Sequence, residues 1–402
     1  MCPKNGSQFK VHGENQYFIK EKEVLGQAPQ KKIIDYRFRI FYAVGIILVV
    51  AGHSGNGGVN ILFDWFTPYA FHLGIFAFGS GYFYKESESQ QQLSYLWKKI
   101  KHLLIPYYMC NIFYGVFVYI SKNFGMEIGG GLTIDNLFLT APLFSGHQFM
   151  YNLGTWFVIP LFVLIIFNNI IFRGIGFIKN KTIFVFILYI GLGLLSVSLA
   201  KHGYNQGWCL LLTRTMFLMP MFGLGLMYRK YHFFDSIPNV FYFLLLFLFQ
   251  YMVIIKVGGP FGNDIAWMSG FHGAAVLPFI VEFIGILFWL RVCTVVTPVL
   301  KDSKIINAIG GNTWAIMTHH LLAIFCLKGF FALLALKFSM NFNYAEFTHN
   351  IWYYYLPLGK SQGFIFYTLI GIVGPLLYLY LKKISINFIN LKFISLKNKI
   401  YI

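Results

Sequence analysis

Long apolar blocks follow one another along almost the whole chain, and each is bounded by charged or turn-forming residues. A helix rises about 1.5 Å per residue, so about 20 apolar residues cross the roughly 30 Å hydrocarbon core of a bilayer. Charged residues make up only 11% of the 402 residues, too few to cover the surface of a soluble protein, in which about 25% are charged. The chain is therefore predicted to be an all-α, polytopic membrane protein.

The positions of the blocks predict about ten transmembrane helices. They are expected at residues 38–56, 67–84, 103–121, 155–173, 182–200, 209–228, 239–256, 271–292, 313–336 and 362–381. Glycines within these blocks, such as Gly74, Gly79, Gly81, Gly223 and Gly225, are expected to let helices approach each other closely.

The positive charges lie between the apolar blocks instead of on a soluble face or arm. A formal charge of +18 would suit a nucleic-acid-binding protein only if the basic residues were clustered on such a face, so no nucleic-acid partner is expected. Lysine and arginine favour alternate loops by roughly four to one, which is typical of cytoplasmic loops. Both termini are therefore predicted to be cytoplasmic.

The remaining organisation is simple. Residues 1–30 form a predicted polar cytoplasmic tail with the composition of a disordered segment, without the apolar core and cleavage site of a signal peptide. Residues 31–385 form one membrane domain, and residues 386–402 a basic cytoplasmic tail. The five cysteines are scattered and lack C-x-x-C spacing, so they are expected to be packing residues, and no metal site is predicted.

Ionisable residues inside the predicted helices are candidates for function, because burial in a bilayer makes them costly. Counting along the helices places an outer layer of candidates at His53, His72, Trp156 and Arg214. The inner, cytoplasmic layer contains Arg39, Lys98, Lys99, Lys101, His102, Arg229, His319 and His320. This cationic layer would suit a polyanion such as coenzyme A, although the positive-inside rule alone also accounts for such cations.

Two of the intramembrane residues have both functional and structural interpretations. His53 interrupts the apolar run GIILVVAGHS, where an imidazole needs a partner, as a catalytic group or as a satisfied structural histidine. Glu282 lies midway along the predicted helix 271–292. It is a candidate for a proton relay or for a structural charge pair.

Six segments, in order along the chain, resemble those of the integral-membrane acyltransferase family three, the bacterial O-acyltransferases that modify surface glycans. They are IDYRFRIFYAVGIILVVAGHS, FHLGIFAFGSGYF, KKIKHLLIPY, LGTWFVIPLFV, FLMPMFGLGLMYRK and IGGNTWAIMTHHLL. The resemblance covers nearly the whole chain and implies that residues 31–385 are an acyltransferase domain in the bacterial cytoplasmic membrane.

The resemblance implies a role for each matching residue. It places the catalytic histidine of the family at His53, the polar positions of its second helix at His72 and Ser80, and its later histidine at His319. The sequence departs from the family at Tyr42, where an arginine is usual, although Arg39 lies one turn earlier. The paired arginines before the proline of the third helix are replaced by Lys98, Lys99, Lys101 and His102, which keep charge but lose bidentate phosphate geometry.

The implied reaction transfers an acyl group, with acetyl expected, from acetyl-CoA to a hydroxyl of a cell-surface or lipid-linked glycan. His53 and Glu282 are the predicted catalytic residues, with His53 acting as general base or carrying the acyl group. The predicted acceptor site comprises His72, Ser80, Trp156 and Arg214, and the predicted donor site comprises Arg39, Lys98, Lys99, Lys101, His102 and His319.

Two alternatives remain at this point. The chain is expected to contact membrane lipid in either case. A transporter or flippase in the same membrane would use His53 and Glu282 as a proton path. An acyltransferase for a larger group such as succinyl would differ only in the shape of its pocket.

Overall fold

A computed structural model describes residues 34–55, 65, 67–86, 91–145, 149–259, 261–357 and 359–400. Within these ranges the chain is helical, with no β-strand and a single isolated bridge between Asp264 and Ser269. The all-α prediction is confirmed for the described residues. The predicted tail over 1–30 lies outside them.

The described α-helices are numbered in chain order. They are α1 (Tyr36–Gly52), α2 (Gly74–Tyr82), α3 (Gln92–Lys99), α4 (Ile105–Lys122), α5 (Val158–Gly174), α6 (Lys181–Lys201), α7 (Gly207–Tyr231), α8 (Asn239–Val257), α9 (Leu277–Leu300), α10 (Lys304–Gly311), α11 (Thr313–Phe338), α12 (Tyr344–His349) and α13 (Lys360–Ile400). Four short helical segments of other types lie between these α-helices. Two are 3₁₀ turns, Pro68–Ala70 before α2 and Leu153–Phe157 before α5. Two are π-type turns, Ile100–Leu104 between α3 and α4 and Asn136–Phe144 between α4 and α5.

Eight helical segments among the described residues are long and apolar enough to cross a bilayer. They are Gln92–Lys122, Leu153–Gly174, Lys181–Lys201, Gly207–Tyr231, Asn239–Val257, Leu277–Leu300, Thr313–Phe338 and Gly363–Phe388. These segments correspond to the last eight of the ten predicted helices and identify a multi-pass membrane protein.

The first two predicted helices are shorter than a full span. Helix α1 has 17 residues and begins at an N-cap, where the Asp35 side chain accepts a hydrogen bond from the Phe38 amide at 3.3 Å. The second block does not form one continuous helix, because a 3₁₀ turn at Pro68–Ala70 and a turn over residues 71–73 precede the nine residues of α2. The count of ten spans therefore stays a prediction.

Two glycines allow α2 and α7 to pack backbone against backbone. A Cβ atom built on Gly81 would overlap the carbonyl oxygen of Phe222, and one built on Gly225 would overlap the carbonyl oxygen of Phe78. The expected role of these glycines in close packing is confirmed. This contact fixes α2, and the segment before it, against the centre of the bundle.

Helix α9 begins later than predicted, at Leu277 instead of residue 271. Gly270 and Gly273 have φ angles of +72° and +67°, left-handed values that an α-helix does not contain.

Residues 261–270, here called the 261–270 loop, are held by polar contacts. The Asn263 amide donates to the Tyr69 carbonyl at 3.3 Å, and Asn205 Nδ2 donates to the carbonyls of Trp267 and Met268 at 3.2 and 3.3 Å.

Helix α13 is longer than the predicted span at 362–381. It continues without a break to Ile400, so the predicted basic tail from residue 386 is helical over its described part.

Candidate active site

The site is built around the residue that follows the last turn of α1. His53 caps α1, with its amide 3.1 Å from the Val50 carbonyl. Two tyrosine hydroxyls bind the neighbouring carbonyls: Tyr69 donates to Gly52 at 2.8 Å, and Tyr354 donates to His53. Since these carbonyls lie at a helix end and lack helical partners, the tyrosines fix the direction in which the His53 side chain leaves the helix.

Tyr354 is in turn held by a buried lysine of α11. Lys328 is 1% exposed; its Nζ lies 4.9 Å from the centre of the Tyr354 ring and donates to the Ile351 carbonyl at 2.5 Å. Burial raises the pKa of Tyr354 above its usual value, so the hydroxyl keeps the proton that it donates. The segment after α12 is thereby fastened to the end of α1.

His53 is paired with a second histidine, His320 of α11. The distance from His53 Nδ1 to His320 Nε2 is 2.9 Å, and the rings stack with centroids 5.0 Å apart. His320 Nδ1 lies 2.8 Å from the Met317 carbonyl and 3.1 Å from the Ile316 carbonyl. A carbonyl only accepts hydrogen bonds, so in a neutral His320 the proton is on Nδ1 and Nε2 is an acceptor.

This hydrogen-bond pattern sets the protonation of His53 as well. Because His320 Nε2 accepts, His53 Nδ1 must be the donor, and a neutral His53 then has its lone pair on Nε2. If His53 takes up a proton, its bond to His320 becomes a charge-assisted hydrogen bond, which is stronger than a neutral one. The pair therefore has the arrangement of a general base and its orienting partner.

His53 lines a cavity of about 260 Å³. Its other lining residues include Tyr69, His72 and Leu73 before α2, Leu153, Gly154, Trp156 and Phe157 of the 3₁₀ turn before α5, Asn263, Asp264, Ile265 and Ala266 of the 261–270 loop, Met317 of α11, and Trp352 after α12. Small-molecule pockets usually measure about 300–1,000 Å³. This cavity suits the reacting groups and a single ring better than a whole coenzyme.

Two of the four predicted acceptor-site residues, His72 and Trp156, line this cavity. Arg214 lies behind Trp156, with its guanidinium carbon 4.7 Å from the ring centre. It is fully buried and donates to the backbone carbonyls of Ser145 and Ala266 at 3.0 Å. Arg214 thus supports the 261–270 loop instead of lining the cavity.

Ser80 and Glu282 lie elsewhere in the bundle. The Ser80 hydroxyl donates to the Phe76 carbonyl of its own helix at 2.8 Å. Glu282 is fully buried against Gly74, and within the described part of the chain neither of its carboxyl oxygens has a hydrogen-bond partner. Neither residue is part of the cavity lining, so the structure does not join Glu282 to His53 as a catalytic pair.

The predicted donor-site residues are spread over separate surfaces. Arg39 packs on the Gly310–Gly311 pair that ends α10. Lys98, Lys101 and His102 are exposed near the π-type turn after α3, and Lys99 lies 5.3 Å from the centre of the Tyr95 ring. His319 faces away from His53, and its Nδ1 lies 2.7 Å from the Tyr114 hydroxyl.

The sequence missed several residues of the site, of which His320 is the most important. His320 was expected in the inner layer, far from His53, yet the two are hydrogen-bonded. Tyr69, Asn263, Trp352 and Tyr354 were also not predicted, because they come from loops that long-range packing brings to the end of α1. The doubled histidine in the run THHLL was the one signal available.

Comparisons with known proteins identify no relative: no protein-family model, no curated protein and no solved structure matches this chain. The resemblance of its motifs to an acyltransferase family therefore stays a prediction. The histidine pair and the cavity that His53 lines are the features that indicate a function.

Proposed function

We propose that the chain is a membrane-bound O-acyltransferase that moves an acyl group, acetyl in the first instance, from acyl-CoA to a hydroxyl of a cell-surface or lipid-linked glycan. The bacterial cytoplasmic membrane is its proposed location. The observation that carries the proposal is the hydrogen-bonded pair of His53 and His320, of which His53 lines the cavity. A neutral imidazole, held in one tautomer by a second group, is the usual means of removing a proton from a hydroxyl.

The proposed reaction uses this pair directly. The hydroxyl oxygen of the acceptor attacks the thioester carbonyl carbon while its proton passes to His53 Nε2. The C–S bond then breaks, and the same proton is returned to the departing thiolate of coenzyme A. His320 stabilises the protonated His53 through the 2.9 Å hydrogen bond between them.

The acyl donor is proposed to approach from the cytoplasmic face. Lys98, Lys101 and His102, which are exposed near the π-type turn after α3, would contact its phosphates there. Lys99 of the same segment and Arg39 of α1 are the other cations of the predicted donor site. With both termini in the cytoplasm, the end of α1 and the cavity would face the outer side, where a glycan is available. Only the acyl end of the donor would then enter the cavity.

A transfer assay in membranes tests this proposal. Inner membranes containing the full chain, and matched membranes without it, are incubated with acetyl-CoA labelled in the acetyl group, and label in the glycan fraction is measured. Label that depends on the chain and is released by mild alkali, as expected for an O-acetyl ester, supports the proposal. Equal label in both membranes, with acetyl-CoA and with succinyl-CoA, contradicts it and favours the transporter.

The role of His320 predicts a difference between two substitutions. His320→Leu removes the acceptor for His53 Nδ1 and is expected to lower kcat about 10- to 100-fold, a typical effect of losing the partner that orients a histidine. His320→Gln retains an acceptor oxygen and is expected to keep more of the activity. The KM for acetyl-CoA should not change in either variant, because His320 is buried behind His53 and belongs neither to the cavity lining nor to the predicted donor site.

The kcat and KM of the two variants are compared at equal amounts of folded protein in the membrane. If leucine and glutamine reduce kcat equally, or if only KM changes, His320 does not act as a positioning residue for His53.

A further inference from the structure

Asn263 is a buried side chain whose polar atoms have no partner in the described protein. It is 3% exposed, and neither Oδ1 nor Nδ2 forms a hydrogen bond with any described residue. Its backbone amide, in contrast, is bonded to the Tyr69 carbonyl at 3.3 Å, so the loop is fixed at this residue. The side chain lines the same cavity as His53.

Buried amide groups are nearly always hydrogen-bonded, because an unsatisfied one carries the full cost of its desolvation. An asparagine offers a carbonyl oxygen that accepts and an amino group that donates, side by side. A ligand that satisfies both atoms in good geometry presents a donor and an acceptor side by side. Two hydroxyls on neighbouring carbons do so with nearly linear hydrogen bonds, whereas a lone hydroxyl reaches both amide atoms only through bent, weaker ones.

Two tryptophans also line the cavity, together with the polar residues Tyr69, His72 and Asp264. Trp156 and Trp352 both line it, and the Trp352 ring lies 5.9 Å from the His53 ring. Indole rings present large apolar faces. A pyranose ring combines apolar C–H faces with a polar edge, so it matches a cavity that offers both indole rings and polar side chains.

We infer that the cavity binds a hexopyranose through a vicinal diol, with one hydroxyl donating to Asn263 Oδ1 and its neighbour accepting from Asn263 Nδ2. The inference rests on the proposed function in one respect, that the sugar is the acyl acceptor. It adds that acceptors need two adjacent unsubstituted hydroxyls besides the one that is acylated. Asn263 is then a specificity-determining residue.

Binding is tested on the purified full chain in lipid nanodiscs, without acetyl-CoA, by saturation-transfer NMR. The probes are methyl glucopyranoside, methyl galactopyranoside and methyl mannopyranoside, with cyclohexanol as a six-membered ring that lacks the diol. The wild-type chain is expected to bind at least one glycoside and not cyclohexanol. Asn263→Leu, which is similar in volume, is expected to weaken that binding at least about tenfold, as expected when a bidentate hydrogen-bonding group is lost.

A matched substitution separates binding from folding. Asn168 is another buried asparagine, which accepts a hydrogen bond from the Tyr189 hydroxyl at 2.9 Å and does not line the cavity. Asn168→Leu should lower the melting temperature and leave glycoside binding unchanged. Asn263→Leu should leave the melting temperature equal or higher, because it removes two unsatisfied groups.

Two results would overturn the inference: equal glycoside binding by the wild-type chain and Asn263→Leu, or no binding of any of the three glycosides by the wild-type chain. Because the binding experiment contains no acyl donor, its outcome does not depend on whether the chain transfers acetyl groups. Glycoside binding that depends on Asn263, together with an absence of acetyl transfer in membranes, would contradict the proposed reaction and leave the sugar site standing.

Discussion

Substitution of His53 by alanine is expected to reduce acetyl transfer by about 100- to 10,000-fold, the range of a lost general base. The reason is the tautomer that His320 imposes, which leaves the lone pair of a neutral His53 on Nε2. His72, the other histidine that lines the cavity, packs its ring 5.5 Å from the Tyr69 ring. The measurement is the initial rate of labelled acetyl transfer at equal protein in the membrane.

The matched control is His202→Ala. His202 is exposed at the end of α6, where its Nδ1 contacts the Ser198 carbonyl at 2.8 Å, and its loss should leave the rate unchanged. A His53→Ala variant with wild-type activity would exclude the proposed base. If His53 carries the acyl group covalently, brief incubation of the wild-type chain with labelled acetyl-CoA alone should label the protein, and the alanine variant should remain unlabelled.

The apolar blocks predicted the helices of the bundle well, because block length alone decides whether a segment can cross a bilayer. The eight segments from Gln92–Lys122 to Gly363–Phe388 agree with this expectation. The helix ends were predicted less well. Glycines with positive φ angles delay the start of α9, and α13 runs on to Ile400, because the end of a hydrophobic block is not a signal for the end of a helix.

The sequence predicts His53 as a candidate site residue but does not predict its hydrogen-bond partner, and the reason is physical. The number of residues from a helix end gives the depth of a side chain in the bilayer only if the helices neither tilt nor shift along one another. His319 and His320 are adjacent residues, about 100° apart around α11. In a membrane helix with apolar residues on every side, no pattern indicates which of the two faces the bundle; packing turns His320 to His53 and His319 to Tyr114.

The residues that complete the site come from loops. Tyr69, Asn263 and Tyr354 are distant in sequence, and each reaches the end of α1 through tertiary contacts that local patterns do not encode. Their side chains are also common types in interfacial loops, where tyrosine is usual. The cavity is therefore assembled from several elements: the 261–270 loop contributes Asn263 and Asp264, the segment before α2 contributes Tyr69 and His72, and the 3₁₀ turn before α5 and the segment after α12 contribute the tryptophans.

Gly81→Ala is expected to destabilise the whole bundle, because its single added carbon would overlap the carbonyl oxygen of Phe222. Backbone atoms cannot rotate away as a side chain can, so α2 and α7 must separate, at a cost of about 1–3 kcal/mol or more for an overpacked contact. Gly225→Ala, which meets the Phe78 carbonyl oxygen, should behave in the same way. The measurement is the temperature at which half the detergent-solubilised protein remains monodisperse by size-exclusion chromatography.

Gly191→Ala supplies the matched control, since Gly191 lies in the middle of α6 and has no atom within 4 Å of an added Cβ. Alanine favours a helix over glycine by about 1 kcal/mol, so this variant should be as stable as the wild type or more stable. Equal stability of the Gly81 and Gly191 variants would show that α2 and α7 do not depend on close backbone contact. Gly81→Ala and Gly225→Ala should lower transfer activity as well as thermal stability. The reason is that α2 follows directly on the segment that holds Tyr69 and His72 at the cavity.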